Sequence, residues 1–135
     1  MSGPTPKQIE ALDWMGAGTR FREAERELGL SDRSLKGRVQ KLRRLSGKKR
    51  SAALVYWGLT EMHIHYEPMG LRKIQDKWIE VVELIAQDLT NRQIAEKLHL
   101  SESGVETRIR YARAAVGART EAQLVAICWT EDWIS

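Results

Sequence analysis

A run of basic side chains between residues 33 and 50 is the part of this 135-residue chain with the clearest chemistry. Ammonium and guanidinium groups neutralise phosphates and release counterions, and arginine and glutamine also hydrogen-bond base edges in the major groove of DNA. The candidate DNA-contacting residues are Arg33, Ser34, Lys36, Arg38, Gln40, Lys41, Arg43, Arg44, Lys48 and Lys49. We expect Arg33, Lys36 and Gln40 near bases. Lys48, Lys49 and Arg50 follow directly and are expected at phosphates, since lysine acts as a point charge. The alternative is a solvated basic face without a partner.

The distribution of charge favours a polyanionic partner for the first half of the chain. The formal net charge of the whole chain is +4. Residues 1–66 contain 13 Lys/Arg and 7 Asp/Glu, whereas residues 67–135 contain 9 Lys/Arg and 11 Asp/Glu. The positive potential that would attract double-stranded DNA therefore belongs to residues 1–66.

An internal repeat places a second set of polar side chains 70 residues further along the chain. Residues 21–43 align without gaps on residues 91–113, with identities at Arg22/Arg92, Leu28/Leu98, Leu30/Leu100, Ser31/Ser101, Arg38/Arg108 and Arg43/Arg113. Two copies of one structural unit are the economical interpretation. The candidate DNA-contacting residues of the second copy are Ser103, Thr107, Arg108, Arg110 and Arg113. Because Glu102 and Glu106 lie among them, contact with another protein is an open alternative for this copy.

Each copy has to present these side chains on one face of a helix. Ser31 and Ser101 are predicted N-caps, and each is followed by an acidic residue that suits the positive end of the helix dipole. In the helix that follows, apolar residues recur every three or four positions and predict a buried face opposite the polar one. Further helices are predicted at residues 6–17, 51–62, 71–87 and 120–129. The sequence thus predicts an all-α fold of two tandem four-helix units.

The segment between the two copies predicts the boundary of the units. Pro68 and Gly70 would stop a helix and permit a change of direction. We therefore place the units at residues 1–66 and 67–135. Met62, Ile64 and Tyr66 are apolar at alternate positions, so we expect this segment to pack between the units.

The second unit resembles the helix-turn-helix domain of the LuxR (GerE-like) regulators. The likeness lies in E-V-V-E-L-I-A-Q-D-L-T-N-R-Q-I-A-E-K-L-H-L-S-E-S-G-V-E-T-R and V-G-A-R-T-E-A, which cover most of residues 78–126. The first unit is similar over about residues 5–59, through A-G-T-R-F-R-E-A-E-R-E-L-G-L-S-D-R-S-L-K-G-R and L-S-G-K-K-R-S-A-A. The resemblance implies a transcription regulator of a bacterium, a phage or a mobile element.

The resemblance also implies roles for individual helices. The third helix of each unit would enter the major groove, and the fourth would make the dimer contact, either between the two units of one chain or in a homodimer. The alternative is an adaptor or anti-activator whose second unit binds another regulator or RNA polymerase. Three residues depart from the family pattern: Asp88 replaces a glycine, Glu106 replaces a lysine and Glu25 replaces a buried alanine.

Other classes of protein find no support in the sequence. It has no phosphate-binding glycine loop, nucleophile elbow or paired acid and base, so we predict neither catalysis nor a cofactor or metal. Cys128 is the single cysteine and is expected in the core. No apolar run reaches the roughly 18 residues of a membrane span, so we expect a cytoplasmic, nucleoid-associated protein without membrane contact.

Overall fold

The computed structural model describes residues 3–135, and these form eight α-helices and no strand. The helices are α1 (Pro6–Gly16), α2 (Phe21–Leu28), α3 (Asp32–Ser46), α4 (Ser51–Thr60), α5 (Asp76–Ala86), α6 (Asn91–Leu98), α7 (Glu102–Val116) and α8 (Glu121–Thr130). The predicted all-α class is confirmed for this part of the chain. Residues 1 and 2 of the predicted first unit lie outside the described residues.

The two long helices α3 and α7 begin at serine caps. Ser31 Oγ accepts a hydrogen bond from the backbone N–H of Ser34 at 3.2 Å, and Ser101 Oγ accepts one from Gly104 at 3.0 Å. These bonds satisfy amide groups that have no partner inside the helix. Both predicted N-caps are confirmed.

The backbone repeats itself over the whole length of the two halves. Each of the helices α5 to α8 begins and ends 70 residues after its counterpart among α1 to α4. Left-handed backbone recurs at the same offset, at Gly18/Asp88, Gly29/His99, Gly47/Gly117 and Met62/Asp132. Because residues other than glycine adopt positive φ only at a cost, the recurrence means that equivalent turns close the helices of both halves.

Helices α4 and α8 hold the two halves together. Six residues of each are buried, and their apolar side chains are distributed around the whole helix, which requires cover on every side. The two helices make the most extensive helix–helix contact among the described residues. Ala52 of α4 packs in the core of the second half, and Ala122 and Ala126 of α8 pack in the core of the first. The halves therefore share a continuous interior.

The linker between the halves is extended, which corrects the predicted helix at residues 71–87. That helix begins only at Asp76. The backbone N–H groups of Met69 and Leu71 donate to the Glu131 carboxylate, at 2.6 and 2.7 Å, and hold the segment away from helical geometry. Because Glu131 directly follows α8, the linker lies at the carboxyl end of that helix.

The apolar residues before the linker only partly pack as expected. Ile64 is buried, and the Tyr66 hydroxyl donates to the carbonyl of Asp13 at 2.7 Å. Met62, in contrast, is 89% exposed. It occupies the left-handed position after α4, with φ of 63°, where its side chain points into solvent.

Candidate nucleic-acid interface

Helices α2 and α3 are joined by a three-residue turn, and so are α6 and α7. Gly29 and His99 provide the left-handed residue that ends the first helix of each pair. In the first turn, the N–H of Leu30 donates to the carbonyl of Glu25 at 3.1 Å, and the equivalent bond closes the second turn. Two helices joined by a turn of this length form a helix-turn-helix.

Helix α3 presents a basic face to solvent. Leu35, Val39 and Leu42 are buried on its inner side and fix its rotation. The exposed candidate residues are Arg33, Ser34, Lys36, Gln40, Lys41, Arg44 and Lys49, and the half-buried ones are Arg38, Arg43 and Lys48. The helix contains six Lys/Arg and a single acidic residue. The six exposed candidates within α3 therefore share one strongly positive surface, whereas Lys48 and Lys49 follow the helix and the Nε of Arg43 is buried.

One ion pair lies at the start of this surface. Lys36 Nζ is 2.9 Å from the Asp32 carboxylate one turn earlier, and this hydrogen bond raises the pKa of Lys36 and lowers that of Asp32. The pKa of Glu25 is raised, first by desolvation and then by its hydrogen bond to Asp32. Lys36 and Asp32 are both exposed, so their pairing is weak enough to be exchanged for contact with a phosphate.

Helix α7 presents a more mixed face, with three arginines and two glutamates. Ser103 is exposed, and its Oγ lies 3.2 Å from Ser101 Oγ, while Thr107 Oγ1 donates to the carbonyl of Ser103 at 2.9 Å. The guanidinium carbon of Arg110 is 5.7 Å from the ring centre of Tyr111, which is 52% exposed. Tyr111 is absent from the candidates predicted from the sequence, although an aromatic residue among polar neighbours on this helix is a signal for an exposed contact.

Two arginines of α7 have partners inside the protein. Arg108 Nη1 lies 3.5 Å from the carbonyl of Lys77 in α5. Arg113 donates from Nε to the carbonyl of Ala118 at 3.3 Å, and from Nη2 to the carbonyl of Arg119. Of the five candidates in the second copy, Ser103 and Arg110 are exposed, and Thr107, Arg108 and Arg113 are half-buried. The open surface of α7 is thus smaller than that of α3.

Two polar joints connect the halves beside α4 and α8. The first joint consists of Arg20, Glu23 and Arg119, and the second consists of Lys49, Arg50 and Asp88. In the first joint, Arg119 Nη1 and Nη2 donate to the Glu23 carboxylate at 3.1 and 2.6 Å, and Arg20 Nη2 donates to the Arg119 carbonyl at 3.2 Å. The hydrogen bond from Arg119 lowers the pKa of Glu23, and the same bond raises the pKa of Arg119.

The second joint explains one departure from the LuxR pattern. The Asp88 carboxylate accepts from the backbone N–H groups of Lys49 at 2.9 Å and Arg50 at 3.1 Å, and Arg50 Nη1 donates to it at 3.3 Å. Arg50 is the N-cap residue of α4 and makes no side-chain cap of its own. Asp88 therefore caps a helix of the other half, a role that glycine has no side chain to fill.

Metal sites and membrane-spanning helices are absent from residues 3–135. No group of three His, Cys, Asp or Glu side chains there is arranged to hold a metal ion. None of the helices has both the length and the apolar character needed to cross a membrane. Cys128 is fully buried, as predicted, and burial raises the pKa of its thiol to about 12.

Comparison with known protein families gives a match within the second half of the chain. Residues 77–128 match the family model of the bacterial regulatory proteins of the luxR family. The match runs from the start of α5 into α8 and identifies one LuxR-type helix-turn-helix domain, from a family of DNA-binding transcription regulators that are not typically enzymes. No curated protein and no solved structure matches the chain.

Proposed function

We propose that this chain is a transcription regulator that reads two adjacent half-sites on double-stranded DNA, one through α3 and the other through α7. The family match supports this role for α7. The repeated backbone and the basic outer face support it for α3. The two halves act as a pseudo-dimer within one chain.

The observation that carries the proposal is the reciprocity of the contacts between the halves. The loop before α6 contacts the start of α4 through Asp88, and the loop before α2 contacts the start of α8 through Arg20. Ala52 and Ala122, which are equivalent by the repeat, each enter the core of the other half. Contacts in which two surfaces exchange equivalent residues are those of a two-fold axis. Such an axis supports α3 and α7 acting as a symmetric pair.

The form of the DNA site follows from this symmetry. A protein with an approximate two-fold axis fits an inverted repeat whose half-sites lie one helical turn, about 34 Å, apart. The two helices differ at equivalent positions, namely Lys36/Glu106, Gln40/Arg110 and Lys41/Tyr111. The inverted repeat is therefore imperfect, and α3 provides the larger share of the attraction to phosphates.

Within each half-site, the exposed and half-buried candidates divide by chemistry. Base contacts are assigned to Arg33, Lys36, Gln40, Ser103, Thr107 and Arg110, and phosphate contacts to Lys41, Arg44, Lys48 and Lys49. Ser34, Arg38 and Arg43 lie at the border of the proposed DNA-contacting surface of α3. Arg108 and Arg113 lie at the border of that of α7. Arginine, glutamine and lysine can all hydrogen-bond base edges, whereas the residues assigned to phosphates supply mainly positive charge.

The test is selection from a random pool of double-stranded DNA with the intact chain, at two salt concentrations. The double variant Lys36→Glu/Lys41→Glu reverses charge on the exposed face of α3. Arg72→Glu is the control for a charge reversal away from α3. Arg72 is exposed in the linker beside Leu71, whose N–H binds Glu131 beyond the carboxyl end of α8. The two residues changed in α3 lie instead on the helix that leads into the amino end of α4.

The proposal expects the intact chain to enrich an imperfect inverted repeat. The double variant should lose the half-site read by α3 and bind at least about tenfold more weakly, with a smaller salt dependence. Arg72→Glu should change affinity by no more than about twofold. Equal losses in the double variant and in the control, or no enrichment at all, would overturn the proposal.

An adaptor is the second candidate, favoured by the surface of α7. Glu102 and Glu106 oppose contact with phosphates, and Tyr111 offers an exposed aromatic ring of the kind enriched at protein interfaces. Enrichment of a single half-site, unchanged by Arg110→Glu, would support this function. Loss of the second half-site in Arg110→Glu would support the pseudo-dimer instead.

A further inference from the structure

The ion pair between Glu23 and Arg119 connects α2 of the first half to the end of α7 in the second. Arg119 binds the Glu23 carboxylate through both terminal nitrogens. The carbonyl of Arg119 also accepts from Arg113, which lies in the last turn of α7. A continuous series of hydrogen bonds therefore runs from one helix-turn-helix to the third helix of the other.

We propose that Glu23 and Arg119 are positioning residues that restrict the spacing between the two half-sites. This inference rests on the proposed function, because spacing has a meaning only if both third helices read DNA. The first joint would then contribute to the choice of DNA site, although neither Glu23 nor Arg119 lies on the exposed face of α3 or α7.

The length of α7 makes its orientation sensitive to this joint. The helix has 15 residues and is about 22 Å long. A rotation of about 15° around its end near Arg113 moves Ser103, about 15 Å away along the helix, by about 4 Å. That displacement exceeds the rise of one base pair, about 3.4 Å along a strand. Restricting such rotations therefore excludes half-sites that are one base pair too close or too far.

Removing the ion pair leaves the two halves joined. Asp88 still caps α4, and Ala52 and Ala122 stay buried between the halves. The side chains of Arg119 and Glu23 are 48% and 33% exposed, and pairs of this kind contribute little to folding. Glu23→Gln is therefore expected to fold and to change the orientation of α7 alone.

The first experiment measures affinity for a set of duplexes in which the selected half-sites are separated by the preferred spacer or by one or two base pairs more or fewer. Glu23→Gln should reduce the preference for the best spacer by about threefold, the scale of an exposed ion pair. The charge-swapped variant Glu23→Arg/Arg119→Glu should restore part of this preference, because it re-forms the ion pair but removes the carboxylate that accepts the N–H of Arg20. Glu96→Gln is the matched control, because it makes the same change in α6, at a pair with Arg92 within one half.

A second experiment measures the orientation without DNA. Spin labels on Lys41→Cys and Tyr111→Cys occupy equivalent exposed positions of α3 and α7, and buried Cys128 stays unlabelled. The distribution of distances between the labels should broaden in Glu23→Gln and narrow again in the charge-swapped variant.

The outcomes separate this inference from the proposed function. If the intact chain selects a two-part site but every variant keeps its spacing profile, the positioning role is wrong and the function stands. If the chain selects no two-part site, the proposed function fails, and an unchanged distance distribution in Glu23→Gln then also rejects the positioning of α7.

Discussion

Asp88 caps the helix that begins after Arg50, in the other half of the chain. Its carboxylate accepts the backbone N–H groups of Lys49 and Arg50 at 2.9 and 3.1 Å, from a residue with left-handed backbone. The position equivalent to Asp88 in the first half is Gly18. The hydrogen bonds that Asp88 makes across the interface thus offset the cost of its left-handed backbone.

Asp88→Asn tests the contribution of this cap. Asparagine tolerates left-handed backbone, so the substitution removes charge without adding strain. We expect it to lower the free energy of unfolding by about 1 kcal/mol, because an amide has one accepting oxygen for the N–H groups of Lys49 and Arg50 and lacks the charge that faces the Arg50 guanidinium. Asp132→Asn is the matched control, because Asp132 also has positive φ and is exposed. The free energies of unfolding of both variants are measured in denaturant. Equal decreases in Asp88→Asn and Asp132→Asn would argue against a stabilising role of Asp88 at the start of α4.

The ion pair of the first joint gives stability a defined pH dependence. The pKa of Glu23 is lowered from its usual value of 4.5 by Arg119, and further by the N–H of Arg20. A lowered carboxyl pKa stabilises the folded chain above the ordinary value, and this stabilisation is lost as pH falls through the lowered pKa. The difference in Tm between the unmodified chain and Glu23→Gln should therefore be present at pH 7 and shrink as the pH falls below 4.5, through the lowered pKa of Glu23. A difference in Tm that persists at low pH would contradict a stabilising ion pair between Glu23 and Arg119.

The shared interior predicts that the halves unfold together. Leu54 is fully buried in α4, in the cluster that also contains Ala122 and Ala126. Leu54→Ala should lower the free energy of unfolding by about 2–5 kcal/mol. Calorimetry should show one transition at a lower temperature, whereas two transitions with only one displaced would indicate independent halves. Leu45→Ala, at a site 44% exposed, should change stability by less than about 0.5 kcal/mol.

Two glycines of the first helix-turn-helix should respond oppositely to alanine. Neither has an atom within 4 Å of an added Cβ. Gly29 has φ of 63°, so Gly29→Ala should destabilise the chain by about 1 kcal/mol. Gly37 is inside α3, so Gly37→Ala should stabilise the chain by about 0.5–1 kcal/mol. Because Gly37 lies on the basic face, the same methyl group should weaken DNA binding. Tighter binding by Gly37→Ala would mean that DNA does not approach this backbone.

Local signals predicted most of the fold from the sequence. Ser31 and Ser101 cap their helices because a hydroxyl can satisfy the first amides wherever the chain turns into a helix. The repeat also predicted equivalent helices in both halves. The three-residue spacing of Leu71 and Ile74 is compatible with a helix and led to the wrong prediction there. In the structure both residues pack against the core of the second half from an extended linker, which is hydrogen-bonded to Glu131.

The site was less predictable because its partners are distant in sequence. Comparison with the LuxR sequence pattern showed that Asp88 replaces a glycine. The function of Asp88 depends on hydrogen bonds to Lys49 and Arg50, which lie almost 40 residues earlier in the sequence. Arg113 is a residue type that commonly contacts DNA, yet its guanidinium donates hydrogen bonds to carbonyl groups of the loop before α8. Side-chain type gives the chemistry available, whereas packing decides which groups are free to use it.

The mass of the complex on the selected two-part duplex tests the central claim most directly. Native mass spectrometry with excess protein should show a single chain of 15.5 kDa bound per duplex, because the α4–α8 interface already pairs the two third helices. Sedimentation velocity of the same mixture should give the same stoichiometry. Two chains on each two-part duplex would contradict the pseudo-dimer and assign one half-site to each chain.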